Sequence, residues 1–513
     1  MPEKVLEKLK DKITPVWKAC FICALVTGFL AHFYKITNWI PNWDGLVFRY
    51  DVQNMTGLGR WLLSFVCYFT SFYDLPFLNG AICIFFHALG AVYICRIIDV
   101  KQKITAALIG ALVVSFPTVT SVMMYSYVAD GYGIAFFLSC VAAYLMVKEK
   151  PSYFWAAIFI ALSSGIYQAY ITVTIMLVLL HLLDELVYGK VRIKFVLKNS
   201  LAFLVTGFCG MALYFGILYA VLTVTGTEML DYQGISSSAN FLNLDIMGSF
   251  YRIKTTFIEF FFDFEHPSLF EVLNEFILAA TLFCHIRNAV RNRVITSAAK
   301  VAAIIVGMGL LIVGSGVLAL INASIDYHSL MLMGYCIFYM FFIILYEREE
   351  DDSKKIRAAR CWMVLIIGFL LVFNNSVIAN VSYHKAQMAY EKSYGTLLRI
   401  ADRMEQTDGI EECDEILVVG HLENSENYSS LLPPEITGIT DGYIIRADDE
   451  VVKQSVFCSA LNDYCGKDYT FIAGDRKKQL LENQMIKEMN TWPHDGCVQV
   501  LDGVAVIKLG SEN

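Results

Sequence analysis

Two carboxylates, Asp44 and Asp51, and two guanidiniums, Arg49 and Arg60, share one stretch of chain with Trp39, Trp43, Phe48, Tyr50 and Trp61. Ionisable groups set among aromatics beside a long apolar run must be paired or solvated, and that cost marks them as candidates for function. Asp44 follows the apolar turn Trp39-Ile40-Pro41-Asn42-Trp43. A partly desolvated carboxylate there suits the removal of a proton from an acceptor hydroxyl. Arg49 and Arg60 offer planar cations suited to phosphate. The plainer reading is a capped interfacial helix with local salt bridges, in which Asp51 serves only as a partner for an arginine.

Other candidates lie further along. Asp130, in Tyr125-Ser126-Tyr127-Val128-Ala129-Asp130, needs a wet cavity or a cation, and a structural pairing with Arg49 or Arg60 is the alternative. Tyr167 and Gln168 could bind a sugar or cap a hairpin. His328, after Asp326-Tyr327, could bind phosphate or be a solvated loop histidine. Asp263, Glu265 and His266 imitate a metal cluster, but no repeat elsewhere supports one, so no metal ligands are assigned and a divalent cation stays an open question.

The elements that must position these groups are membrane helices. Apolar residues make up 57% of the 513 and charged residues 17%, with mean hydropathy +0.53. A soluble domain is about 25% charged. Runs of about 20 apolar residues suffice to cross a bilayer. About eleven are present, from 16–34 to 361–380, with the pair in 152–187 interrupted by Ser163-Ser164-Gly165 and Tyr167-Gln168. The Lys-rich start before the first run has no convincing cleavage site and reads as a retained signal anchor.

Lys and Arg crowd one set of connections, including Lys4–Lys18, Lys190–Lys198, Arg287–Lys300 and Arg348–Arg360. The other set holds only Lys35, Arg49, Arg60, Arg252 and Lys254. The positive-inside rule then places the N-terminus in the cytoplasm, and an odd span count puts the C-terminus outside with every candidate group on the outer face.

The expected fold is therefore an all-α polytopic membrane domain at 1–382, with outer loops 35–75 and 226–270, followed by a small extracytoplasmic α/β domain at 383–513. The aromatic loop 226–270 suits a helix lying flat at the interface. In the second domain a helix over 384–406 with Ala389, Tyr390, Leu397, Leu398, Ile400 and Met404 as its apolar positions precedes a strand at Glu415–Val419. A further helix is expected near Asp475–Met489. Cys497–Leu501 and Val504–Leu509 flank Asp502-Gly503, a two-residue hairpin signal. Export permits one or two bridges among Cys413, Cys458, Cys465 and Cys497; a zinc site is the sharper alternative, though no CxxC pair exists. No P-loop, zincin helix or nucleophile elbow is present.

Taken in order, Asp44…Arg49, Gly59-Arg60-Trp61, Tyr125-Ser126-Tyr127…Asp130 and Tyr167-Gln168-Ala169 resemble the glucosyltransferase-II family of bacterial membrane glycosyltransferases, known for O-antigen glucosylation and serotype conversion. The similarity covers about residues 20–350. Gly45 stands where that family usually has a second acidic residue, so either Asp44 alone suffices or Asp51 takes the second role. The resemblance implies a GT-C architecture in the bacterial inner (cytoplasmic) membrane, and transfer of a hexose, glucose, from a polyprenyl-phosphate sugar to a cell-surface polysaccharide or lipid-linked glycan on the outer face. It further implies Asp44 as general base, inversion at the anomeric carbon, and Arg49 and Arg60 offsetting charge on the leaving phosphate. It implies no organic cofactor and no nucleic-acid partner.

A polysaccharide polymerase or ligase using a lipid-linked oligosaccharide would share the outer loops and arginines. A lipid or sugar flippase would show internal repeats and charges near the bilayer midplane; no clear repeat is visible, and the notable charges sit at the outer rim.

Overall fold

In the computed structural model the residues described are 13–47, 55–71, 73–189, 191–230, 245–262, 268–348, 353–422, 436, 450–466 and 468–510. Among them the helices run α1 Pro15–Thr37, α2 Trp43–Val47, α3 Leu63–Cys67, α4 Pro76–Ile97, α5 Lys103–Ser115, α6 Pro117–Met124, α7 Ala129–Val147, α8 Tyr153–Ile166, α9 Ile171–Val187, α10 Ile193–Thr225, α11 Ile246–Phe261, α12 Leu269–Arg291, α13 Ala298–Ser315, α14 Cys336–Ile343, α15 Lys354–Glu405, α16 Glu450–Cys465, α17 Gly474–Glu482 and α18 Gln484–Glu488. The strands are β1 Glu415–Val419, β2 Thr470–Phe471, β3 Val498–Leu501 and β4 Val504–Lys508. Contacts divide the chain into two compact units, one of Met1–Asn38, Asp51–Asn380 and Leu432–Thr437, the other of Trp39–Tyr50, Val381–Leu431 and Gly438–Asn513.

The first unit is helical. Ten segments among the described residues are long and apolar enough to cross a membrane, and α8, of 14 residues, is a shorter apolar helix. The chain is a multi-pass membrane protein. Local chemistry sets the helix ends. Thr14 Oγ1 caps α1 by accepting from Trp17 N at 3.2 Å, with Pro15 in the first turn where its missing N–H costs nothing. Ser268 and Glu271 form a reciprocal capping box at α12. Pro117 stops α5 at Ser115 and restarts the chain as α6.

Small residues let the helices close on one another. A Cβ on Gly110 would stand 2.4 Å from Cys20 O, and one on Gly133 would stand 2.8 Å from the Cys83 backbone. Between apolar helices in lipid, such backbone proximity is what supplies packing energy. The helix within the loop expected at the interface, α11, buries Ser249, Ile253, Thr256, Phe260 and Phe261 and exposes Met247, Phe250 and Tyr251. Asp263, Glu265 and His266 lie outside the described residues. Among the described residues no group of three His, Cys, Asp or Glu could hold a metal.

The second unit carries a four-stranded sheet in the order β2-β1-β4-β3, with β1 parallel to β2 and β4 and antiparallel pairing only between β3 and β4. Strand β1 falls where the apolar run predicts it. Asp502 (φ 50°) and Gly503 (φ 76°) make the hairpin turn, leaving Leu501 opposite Val504; two successive positive φ angles match the right-handed strand twist. The helix expected near Asp475–Met489 is split into α17 and α18 because Asn483 adopts an extended backbone and caps α18 through Oδ1, 2.9 Å from Met485 N. The far end of α18 is held by Lys508 of β4. Its buried Nζ donates to the carbonyls of Ile486, Lys487 and Met489, each at 2.9 Å, satisfying acceptors that a helix terminus leaves open.

On α15, Ala389, Tyr390, Leu397, Ile400 and Met404 enter the core and Leu398 stays exposed. Helix α16 and strand β2 were not anticipated. The disulfide expectation is not met: among the described residues Cys413, Cys458, Cys465 and Cys497 form no disulfide. They are engaged separately, Cys413 Sγ donating to Gly409 O at 3.5 Å and Cys497 Sγ accepting from Arg403 Nη1 at 3.8 Å, while Cys458 and Cys465 ride on α16. Such thiols serve as small hydrophobes of the core.

Candidate functional site

Within the first unit the site is built around a tight turn, Thr56-Gly57-Leu58-Gly59, that presents Arg60. Gly59 has φ 78°, a left-handed conformation that its amide uses to reach Thr56 O at 2.9 Å. Two side chains from distant helices fix the turn. Gln168 Nε2 donates to Leu58 O at 2.8 Å and to Tyr214 Oη at 3.1 Å, and Tyr214 Oη in turn donates to Gly59 O at 3.0 Å. The clamp is so close that a Cβ on Gly59 would lie 2.5 Å from Tyr214 Oη and 2.6 Å from Gln168 Nε2. Beyond Arg60, Trp61 lies against Gly165, whose Cβ would meet the indole at 2.6 Å, and Leu62 N donates to Gly165 O at 2.8 Å.

Arg60 itself rests on an aromatic shelf. Its guanidinium carbon is 4.7 Å from the Tyr167 ring centroid, and Nη1 donates to Tyr132 Oη and Met55 Sδ, both at 3.1 Å. The Tyr132 and Tyr167 rings stack at 4.6 Å and 13°, with Tyr170 edge-on at 6.4 and 5.9 Å. A guanidinium held by a π face and a phenol keeps its charge and its orientation.

His328, just before the apolar segment Ser329–Tyr346, lies in the field of this cation. Burial and then the Arg60 charge push its imidazole down to about 4, against the opposing pull of Asp326. It is therefore neutral at neutral pH, and its buried Nδ1 has no hydrogen-bond partner among the described residues. A neutral imidazole can accept a proton or a hydrogen bond beside a fixed cation.

Asp130 is held by three hydrogen-bond donors. It is 2% exposed at the start of α7. Its Oδ2 accepts from Thr70 Oγ1 at 3.0 Å, and its Oδ1 accepts from Gly131 N at 2.9 Å and Cys67 Sγ at 3.8 Å. The carboxylate thus ties the segment after Arg60 to the helix that carries Tyr132.

Lys35, a loop charge by its place in the sequence, is 1% exposed in the last turn of α1. Its Nζ donates to Ser126 Oγ at 3.3 Å, Asn79 Nδ2 holds Ser126 O at 3.0 Å, and Asp74 is its electrostatic neighbour. Tyr132 and Tyr214 were also missed. Nothing local distinguishes either tyrosine from the others in an apolar helix.

Asp44 belongs to the second unit, in α2. Asn42 caps this helix, its Oδ1 accepting from Gly45 N at 2.7 Å. Arg49 and Asp51 lie outside the described residues. Of the candidates, Arg60, Tyr167, Gln168 and His328 are therefore brought together, and Asp130 is linked to them through α7.

A family model described as glucosyl transferase GtrII matches residues 33–400, a stretch that includes every one of these groups. No curated protein and no solved structure matches the chain. The chain belongs to the glucosyl transferase GtrII family and is a membrane glycosyltransferase.

Proposed function

We propose that this enzyme moves a hexose, glucose, from a polyprenyl-phosphate sugar to a cell-surface polysaccharide of the O-antigen type, on the outer face of the bacterial cytoplasmic membrane. In this reading the N-terminus is cytoplasmic and the domain at 383–513 is extracytoplasmic. Asp44 takes the proton from the acceptor hydroxyl as the acceptor oxygen attacks the anomeric carbon. The bond from that carbon to the phosphate oxygen breaks, the polyprenyl phosphate leaves with the electron pair, and the configuration inverts. Asp51 stands in reserve as the second acid, and Arg49 is a second cation for the phosphate.

The observation that carries the proposal is the setting of Arg60. A guanidinium pinned between Tyr132, Tyr167 and Met55, amid apolar helices, fits a donor whose phosphate is joined to a hydrocarbon chain. Charge that grows on a leaving phosphate meets a preorganised cation there, at no reorganisation cost. Tyr167 supports the cation, Gln168 holds the turn, and His328 adds a neutral acceptor beside it. A divalent cation is not required by this account.

The test is Asp44→Asn in cells, with surface polysaccharide compared by mass spectrometry at matched expression. Loss of one hexose from each repeat supports the transferase. Modification at the wild-type level removes Asp44 as base, and shortened chains with unaltered repeats indicate a polymerase.

A further inference from the structure

Helix α2, which carries Asp44, is too short to be stable by itself, since isolated helices below about 12 residues are marginal in water. What holds it is the second unit, of which Trp39–Tyr50 is a part although the rest of that unit begins at Val381. Leu46 is 2% exposed and belongs to the same buried cluster as Leu397 and Ile400 of α15 and Phe457 and Leu461 of α16. Helix α2 packs directly on α16. Upstream, Trp39 meets Tyr390 edge to face, with centroids 5.9 Å apart. Tyr390 is fixed in turn by stacking on Tyr394 at 6.1 Å and by a hydrogen bond to the Tyr464 hydroxyl. The segment is thus gripped on both sides of Asp44, at Trp39 and at Leu46.

We infer that the C-terminal domain positions the catalytic loop, with Trp39, Leu46 and Tyr390 as positioning residues that fix the backbone bearing Asp44. This rests on the reading of Asp44 as base. It gives the soluble domain a task within the transfer reaction rather than one of acceptor capture alone. Misplacing a reacting group by about 1 Å can cost about 100-fold in rate, so the grip should be visible in turnover.

The experiment uses the full chain in membranes, a short-chain polyprenyl-phosphate glucose as donor and polysaccharide from unmodified cells as acceptor. Leu46→Ala and Tyr390→Leu should each lower kcat by about 10- to 100-fold and leave KM for the donor within about threefold, because the donor's phosphate is held elsewhere in the proposed mechanism. Leu46→Met should restore most of kcat. Hydrogen exchange at Trp43–Val47 should quicken in Leu46→Ala while α10 stays protected. Wild-type kcat in both Leu46→Ala and Tyr390→Leu overturns the inference, as does a fall in kcat with no change in exchange at Trp43–Val47. Asp44→Asn separates the two claims. If it abolishes transfer and the positioning variants do not lower it, the inference alone fails; if it leaves transfer intact, the base reading fails and the inference falls with it.

Discussion

Replacing Gly59 by alanine tests whether the turn before Arg60 is part of the transfer machinery. The new methyl carbon would stand 2.5 Å from Tyr214 Oη and 2.6 Å from Gln168 Nε2, and neither atom is free to move, since each is engaged in the clamp. Holding an alanine at φ 78° costs about 1–2 kcal/mol. Pushing the phenol and the amide aside sacrifices two hydrogen bonds at about 1 kcal/mol each. The local penalty is therefore about 3–4 kcal/mol, enough for the turn to relax rather than hold its geometry. Arg60 is the next residue, so relaxation moves the guanidinium off the Tyr167 face. The expected result is a fall of about 100-fold in kcat/KM with the protein still inserted, because the fault is confined to a loop. Initial rates of glucose transfer in membranes, normalised to protein by immunoblot, measure it. Transfer within twofold of wild type at equal protein level would refute the argument that this turn aims a working cation.

Arg60→Lys keeps the charge but loses the planar fork that Tyr132 and Tyr167 hold, and should cost about 10- to 100-fold in kcat/KM, measured by the same assay. The His328 imidazole is lowered to about 4 from an ordinary 6.5, so the unfolded chain binds a proton that the folded chain refuses. Its contribution to stability is complete above about pH 6.5 and is lost as pH falls toward 4, amounting to at most about 3 kcal/mol. Thermal unfolding in detergent should therefore decline over that window, and His328→Leu should flatten the decline. Without reductant, Cys413, Cys458, Cys465 and Cys497 should all alkylate once the protein is unfolded, as mass spectrometry would show. In the native protein Cys458, its thiol pushed up to about 12 by burial, should resist the same reagent.

What was legible in the sequence had a local physical cause. The turn at Asp502-Gly503 was readable because two positive φ angles in succession demand those residue types, and β1 because an apolar run with exposed neighbours suits a buried strand. Apolar length alone marked the membrane spans. Helix α16 went unread even though its buried positions, Val456, Phe457, Ala460 and Leu461, recur at helical spacing in a stretch rich in apolar residues. The break at Asn483 escaped because an Asn inside a helical pattern is only weakly disfavoured, and here its side chain caps the next helix.

The candidate site shows the same division more sharply. Arg60 was visible as a cation near lipid, but its orientation is set by Tyr132, Gln168 and Tyr214, and those contacts join positions far apart in the chain. Asp130 looked like a partner for an arginine because a buried carboxylate must be satisfied. Three ordinary donors, the Thr70 hydroxyl, the Cys67 thiol and the Gly131 amide, satisfy it instead, which the sequence has no means of signalling. Lys35 reads as a loop charge until α1 is seen to run on to Thr37 and carry it inside. Composition locates charge that is costly to keep, and tertiary contacts decide whether that charge is spent on structure or left to act. Arg60 is oriented by the Tyr167 face, the Tyr132 hydroxyl and Met55, whereas Asp130 is ringed by hydrogen-bond donors.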